Sequence, residues 1–452
     1  MQHEAGGQAH QSRPAERAQG EHKRRGREPR PSKRSLRGLD WLNFLLADMQ
    51  SALGPFLAIY VATRGWNEER VGLALTIGGI AGIIAQTPTG ALVDRVRSKR
   101  TLIALGASAL AIGAMVIAFA PSFVPVMMAQ ALIGAMSSLF LPTIAAVSLG
   151  LVGQQLFDRR QGRNQAYNSA GNIAAAIIFG LLGYFISDRT VFFLVALLSI
   201  PTILTLKLIR PDEIDYRRAR GGAVDDETGR IVSVRLVLRD RVLAIFLFCS
   251  VLFHLANAAM LPLLGEMLTK GKGRSSMLFM SACVITTQLT ITIIAPWIGR
   301  LAGERGRKPL LLLGFGVLPI RAVLYTLAHS TYPLVAIQVL DGVAAGIFGV
   351  VSALVIADLS GGTGRFNLTL GALATAVGIG ASLSQTVAAL WSTALDTRSD
   401  LFSSPLWRRW RCWCFGGSCL KRTAWNRRLW RGIGPLHQRE PHRVAIRRRK
   451  RD

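Results

Sequence analysis

Charge is scarce in this chain, and acid is scarcer still. Only 18% of its 452 residues are charged, with 26 Asp+Glu against 54 Lys+Arg. A soluble domain carries about a quarter charged residues. Half of the residues are apolar and stand in long uninterrupted blocks. That excludes a disordered or collagen-like chain and argues against a soluble enzyme. Cysteine is also rare. Cys249 and Cys283 lie in apolar segments, where a thiol behaves as a small hydrophobe. Cys412, Cys414 and Cys419, with His437 and His442 beyond, match no familiar zinc spacing, so no metal site and no disulfide framework is implied. The sequence has no P-loop, no Ser/His/Asp elbow, no His-Glu-x-x-His and no paired glycosidase carboxylates. ATP-driven and hydrolytic chemistry therefore have no residues to run on, and no cofactor is expected.

What is present is bilayer-length apolar sequence. Runs of about 20 apolar residues, the length that crosses a membrane, occur at 40–62, 71–92, 101–120, 123–150, 165–186, 190–209, 242–265, 276–300, 309–328, 333–358 and 366–391. These eleven predicted spans are numbered in that order below. The polar stretch 210–241, with Asp212, Glu213, Asp215, Arg217, Arg218, Arg220, Asp225, Asp226 and Glu227, separates the sixth from the seventh. It reads as a loop between two bundles, 39–209 and 242–391.

The net charge of +28 is carried largely by the ends. Residues 1–38 hold 10 Lys/Arg and 4 Asp/Glu, and residues 401–452 hold 15 and 2. Basic tails on membrane proteins lie against anionic headgroups, so no nucleic-acid partner is expected. Residues 1–38 are too long and too polar for a secretory signal and read as a disordered basic extension. Basic loops after span 2 (Arg95, Arg97, Lys99, Arg100), span 4 (Arg159, Arg160, Arg163) and span 8 (Arg305, Arg307, Lys308) place the N-terminus in the cytoplasm. The loop after span 7, with Lys270, Lys272 and Arg274, runs against that rule.

The chain repeats itself. Pro55 matches Pro262, Gly90 matches Gly299, Gln130 matches Gln338, Gly134 matches Gly342 and Gly162 matches Gly364, at offsets of 207, 209, 208, 208 and 202. A unit of six spans copied in parallel gives two bundles related by a pseudo-two-fold axis along the membrane normal. The partner of span 6 should then lie near 392–411, where two Asp and four Arg stand instead. Each would cost about 2.5–3.5 kcal/mol at a span centre. Residues 391–452 also hold six of the nine Trp and three of the five Cys. A string with neither helical nor strand periodicity reads as a coding frame out of register; the alternative is a basic, aromatic tail at the membrane surface.

The loop after span 2, GALVDRVRSKR, and the loop after span 8, GRLAGERGRKP, carry the resemblance. Gly90, Leu92, Asp94, Arg95 and Lys99 in the first copy, and Gly299, Leu301, Gly306, Arg307 and Lys308 in the second, make residues 40–391 similar to bacterial transporters of the major facilitator superfamily. The first copy departs at Arg97, and the second has Gly303 in the acidic position. The resemblance implies an all-α polytopic fold of two six-helix bundles, here with eleven recognisable spans, and transport of a small solute by alternating access. It also implies a multi-pass protein of the inner (plasma) membrane, monomeric, proton-coupled and an antiporter in the efflux direction. The alternative is a non-transporting remnant that cannot close its second half. By the resemblance, the loop residues Gly90, Asp94, Arg95, Lys99, Gly299, Gly306, Arg307 and Lys308 are expected to form a conformational latch, with the partner of Asp94 near span 11.

Ionisable groups inside spans are the default functional candidates. These are Asp48 in span 1, His254 and Asn257 in span 7, Arg321 in span 9 and Asp341 in span 10. By the resemblance, spans 1, 4, 7 and 10 line the cavity, which adds Gln130 and Gln338. Asp48 or Asp341 is expected to carry the coupling proton. Against that stands a static Arg321–Asp341 pair that only fixes packing. Asn164, Asn168 and Asn172 form one polar stripe on span 5, facing either the cavity or a neighbouring helix. Gln86, Thr87, Thr286, Thr287 and Gln288 are weaker candidates.

Overall fold

The computed structural model describes residues 31–51, 55–222, 239–261, 264, 275–328 and 330–396. They form helices α1 (Lys33–Ser51), α2 (Pro55–Thr63), α3 (Glu68–Arg95), α4 (Lys99–Phe119), α5 (Phe123–Ser137), α6 (Phe140–Phe185), α7 (Asp188–Thr205), α8 (Arg241–Asn257), α9 (Ser275–Arg305), α10 (Arg307–Leu327), α11 (Thr331–Leu359) and α12 (Phe366–Asp396). Seven stretches of these helices are long and apolar enough to cross a membrane, and 189–205 and 241–257 are shorter apolar helices. α1 and α2 correspond to span 1. α6 joins the upper part of span 4 to span 5 through a kink at Gly153, whose φ of 68° is open to glycine at little cost.

Local chemistry sets several helix starts. Asn67 accepts the Arg70 N–H at 3.1 Å, and Asp240 accepts the Leu243 N–H at 2.8 Å, each satisfying a donor with no partner inside its helix. Pro88, Pro201, Pro296 and Pro319 sit within helices, which membrane helices tolerate because neighbouring groups satisfy the freed carbonyls. Residues such as Ile84, Phe185, Trp297 and Tyr332 point outward, as expected where lipid is the solvent.

Two of the matched glycine pairs reappear as helix crossings. Gly134 of α5 meets the backbone of Gly78 on α3, and its counterpart Gly342 of α11 meets Thr287 and Thr290 on α9. Gly90 of α3 packs on Asn367 and Leu368, and its counterpart Gly299 of α9 packs on Asp158 and Gly162. The first pair holds each bundle together; the second joins the bundles. Pro262 lies outside the described residues.

Two expected boundaries shift. Helix α1 starts at Lys33, so the basic extension does not run to residue 38. Ser32 caps it: the Ser32 Oγ accepts the Ser35 N–H at 3.2 Å, and the Ser32 N–H and Oγ–H both donate to Glu213 at 3.0 Å. The loop between the bundles is also partly ordered, with two 3-10 turns at Pro211–Glu213 and Arg218–Arg220. The tail expected from 392 begins inside α12, and 397–452, with its cysteines, lies outside the described residues.

Candidate functional site

Several clusters of polar groups stand in this apolar frame among the described residues. The first is at the end of α3. Asp94 is buried and accepts three hydrogen bonds from the start of α12. Its Oδ1 takes the Asn367 N–H at 3.1 Å and the Asn367 Nδ2–H at 2.8 Å; its Oδ2 takes the Leu368 N–H at 2.9 Å. A carboxylate on unsatisfied N–H groups at a helix N-terminus is a favoured arrangement. Gly90 lets it form, because a Cβ there would overlap the carbonyl of Asn367. Asn367 Nδ2 also donates to Ala219 O at 2.9 Å, and Gly362 N–H donates to Gly221 O at 2.7 Å. The ordered part of the interbundle loop is thereby bound into the same junction.

Lys99 points elsewhere. Its Nζ donates to the carbonyls of Val93 and Val96 and so closes the C-terminal turn of α3 from within the loop. Arg95 and Lys308 are exposed, and Gly306 takes a φ of 86° at the turn into α10.

The second cluster is the counterpart loop. Arg307 makes a two-pronged pair with Asp158 of α6 (Nη1–Oδ2 and Nη2–Oδ1, both 3.0 Å) and bonds Asp358 of α11 through Nε at 2.9 Å. Gly303, in the acidic position of the repeat, leaves room for Asp158: a Cβ there would stand 3.1 Å from the Asp158 Oδ2. The acid missing from the second loop is thus supplied by the other bundle. Nearby, buried Asp40 binds Arg160 at 2.6 Å and Arg163 at 2.8 Å, while Asn164 accepts from Arg160 Nε at 2.7 Å.

The third cluster lies inside the second bundle. Arg321, fully buried, donates to Asp341 Oδ1 at 2.6 Å, to Asn257 Oδ1 at 2.5 Å, to Tyr325 Oη at 3.0 Å and to Gln338 Oε1 at 3.4 Å. Gln338 Nε2 donates to Tyr325 Oη at 2.6 Å, and Thr287 donates to Asp341 Oδ2 at 3.1 Å. Four of the candidate pathway residues, Asn257, Arg321, Gln338 and Asp341, are therefore brought together. His254 is not among them. Its Nδ1 lies 3.0 Å from Ser250 O on its own helix, and its ring packs on Phe253 and Phe348.

The first bundle holds no equivalent cluster of the candidates. Gln130 is buried against Gly78. Asp48 is buried, and its Oδ1 has no hydrogen-bond partner among the described residues. The asparagine stripe divides: Asn164 joins the Asp40 cluster, Asn168 is half-buried, and Asn172 donates to Gln288 of α9 at 3.5 Å. Sequence reasoning passed over Asp40, Asp158, Asn367 and Tyr325. Asp158 had a signal, being the lone acid beside Arg159 and Arg160; the others had none without their distant partners.

The description "Major Facilitator Superfamily" matches residues 40–318. An uncharacterized MFS-type transporter of Mycobacterium tuberculosis, strain H37Rv, is 43% identical over 361 residues, covering 78% of this chain and 86% of that protein. The multi-drug resistance efflux pump PmrA of Streptococcus pneumoniae is 28% identical over 180 residues, 38% of this chain and 43% of the pump. Among solved structures, the transporter FucP, crystallised in its outward conformation, aligns with a TM-score of 0.62 at 16% identity, over 79% of this chain and 92% of FucP. With the helical architecture and the two related bundles, these likenesses place the chain: it belongs to the Major Facilitator Superfamily of multi-pass membrane transporters.

Proposed function

We propose that this protein exports a small solute from the cytoplasm by proton antiport, through alternating access of the two bundles. The observation that carries the reading is the pair of polar junctions between the bundles, Asp94 on α12 and Arg307 on Asp158. Both are at the same ends of the spans, and both consist of hydrogen bonds and ion pairs that can break and re-form. Such contacts suit a two-state gate, because each is either made or broken and biases which arrangement of the bundles is favoured. The cross-bundle contacts continue inward through Thr87–Thr375 at 2.9 Å and Gly378 against Ile83. This arrangement supports a state closed at the loop end. The basic loops assign that end to the cytoplasm.

Asp48 is the proton carrier in this reading. No ion pair reaches it among the described residues, so it can gain and lose a proton without breaking one. Asp341 is tied to Arg321 and serves to hold solute or to couple its binding to the helices around it. The likeness to the multi-drug resistance efflux pump PmrA supports the export direction. The test is proton-gradient-driven flux of lipophilic cations in inverted membrane vesicles. Asp48→Asn is expected to abolish gradient-driven flux while downhill exchange persists. Gradient-driven flux at the wild-type rate in Asp48→Asn would remove Asp48 from the mechanism. No flux in the wild-type chain would favour the remnant reading.

A further inference from the structure

Between α6 and α9, near the loop end of both, lies a cavity of about 580 Å³. Its walls include Arg159, Arg163 and Tyr167 from α6 and Pro296, Arg300 and Glu304 from α9. The arginines are not equivalent. Arg163 is held by Asp40 at 2.8 Å and lies over the Tyr167 ring at 5.4 Å. Arg159 and Arg300 are exposed and have no ion pair among the described residues. Two uncommitted guanidiniums thus face one cavity from opposite bundles. Above it, one face of α9 continues as Trp297 and Ile293, 70% and 59% exposed. Residues 293, 297, 300 and 304 follow helical spacing, so apolar, aromatic, basic and acidic side chains descend in that order along a single stripe.

We propose that this cavity binds the headgroup of an anionic phospholipid, a phosphodiester carrying a hydroxylated head such as phosphatidylglycerol. Guanidinium forks match phosphate oxygens in geometry and charge. Glu304 accepts from the head's hydroxyl groups, and the acyl chains lie along Trp297 and Ile293. The order of groups along α9 is the order of groups along such a lipid. A soluble phosphate would use the arginines and leave the aromatic and apolar stripe without a role. Because its two free arginines come from different bundles, the lipid bridges the seam beside the Arg307–Asp158 pair and favours the closed loop end. The site does not depend on the direction of transport or on its coupling.

Native mass spectrometry of the full chain in detergent tests this. Phosphatidylglycerol is expected to be retained over phosphatidylcholine by about tenfold, and the Arg159→Ala/Arg300→Ala double variant to lose that preference, since each basic group near a headgroup contributes comparably. Arg159→Lys/Arg300→Lys keeps part of it, and Arg241→Ala, an exposed arginine on α8, keeps all of it. Millimolar inorganic phosphate leaves the lipid bound. Equal retention of the two lipids, or a double variant that holds phosphatidylglycerol as the wild type does, overturns the proposal. So does full displacement by inorganic phosphate, which would make the cavity a site for the bare anion.

Discussion

The two signature loops descend from one pattern and are wired in opposite senses. In the first, the loop supplies the acid: Asp94 reaches across to backbone and amide N–H groups at the start of α12. In the second, the loop supplies the base: Arg307 reaches across to Asp158, whose side chain stands beside Gly303. A carboxylate on a buried helix start and a guanidinium on a partly exposed carboxylate are different devices. Asp94 is 3% exposed, whereas the Arg307 side chain is 25% exposed. Water screens the second junction and hardly reaches the first. Repeat symmetry therefore preserves the crossing and its small residues, while the polar chemistry at each crossing is free to differ.

The largest effect is expected from Gly90→Val. Its Cβ would strike the Asn367 backbone, which cannot swing aside, so the closed arrangement loses about 3 kcal/mol or more. A Thr375→Cys reporter on the seam, in a background with all five native cysteines replaced, should then label rapidly from the loop side. The counterpart Gly303→Ala meets only a flexible carboxylate and should change labelling by less than threefold, about 0.6 kcal/mol. Equal labelling of the two variants would erase the distinction between the loops.

Next in size is Asp94→Ala, which leaves three donors without their acceptor. We expect a cost of about 2–4 kcal/mol against about 1 kcal/mol for Arg307→Ala, read as the shift in labelling rate of the same reporter. Smaller again is the coupling between Asp158→Ala and Arg307→Ala, about 0.5–2 kcal/mol in a double-mutant cycle. Asp94→Ala combined with Arg307→Ala should be additive if the junctions act separately; strong coupling there would make them one device.

The smallest effect concerns the brace behind the first junction. Burial pushes the Glu213 carboxyl up, but hydrogen bonds from Ser32 and Ser35 and the nearby Arg210 outweigh it and hold the group below its ordinary value of 4.5. The folded value being the lower one, this stabilisation is complete above the ordinary value and fades as pH falls through the folded value. Thermal stability of wild type and Glu213→Gln should therefore differ slightly at neutral pH and converge in acid. A gap that widens on acidification would contradict the assignment.

Much of this architecture could be read in advance, for identifiable reasons. A span is a one-dimensional signal, about 20 apolar residues, and the described residues of the predicted runs are almost all helical; 52–54, 262, 263 and 265 lie outside the described residues. The repeat offsets were legible because glycines at close crossings tolerate no side chain. The helix start at Lys33 was not, since Ser32 finds its carboxylate 181 residues away. Asp158 was overlooked for a related reason: beside Arg159 and Arg160 it looks like part of a topology signal, and only the fold brings Arg307 to it. Tyr325 looked like one more apolar residue of α10 until its hydroxyl was placed among Arg321 and Gln338. Long-range polar pairing leaves no periodic trace.

The ordered stretch between the bundles is held to each of them by main-chain bonds: Asp215 N–H to Gly150 O on one side, at 3.0 Å, and Gly362 N–H to Gly221 O on the other. Peptide groups are present whatever the side chains become. In the alternating-access cycle proposed above, part of the resistance to opening at this end is therefore inherited with the path of the chain and is insensitive to point substitution. Sequence drift can retune the gate through Asp94 or Arg307, yet a floor remains beneath that tuning, and relatives with weakened latches should still rest closed.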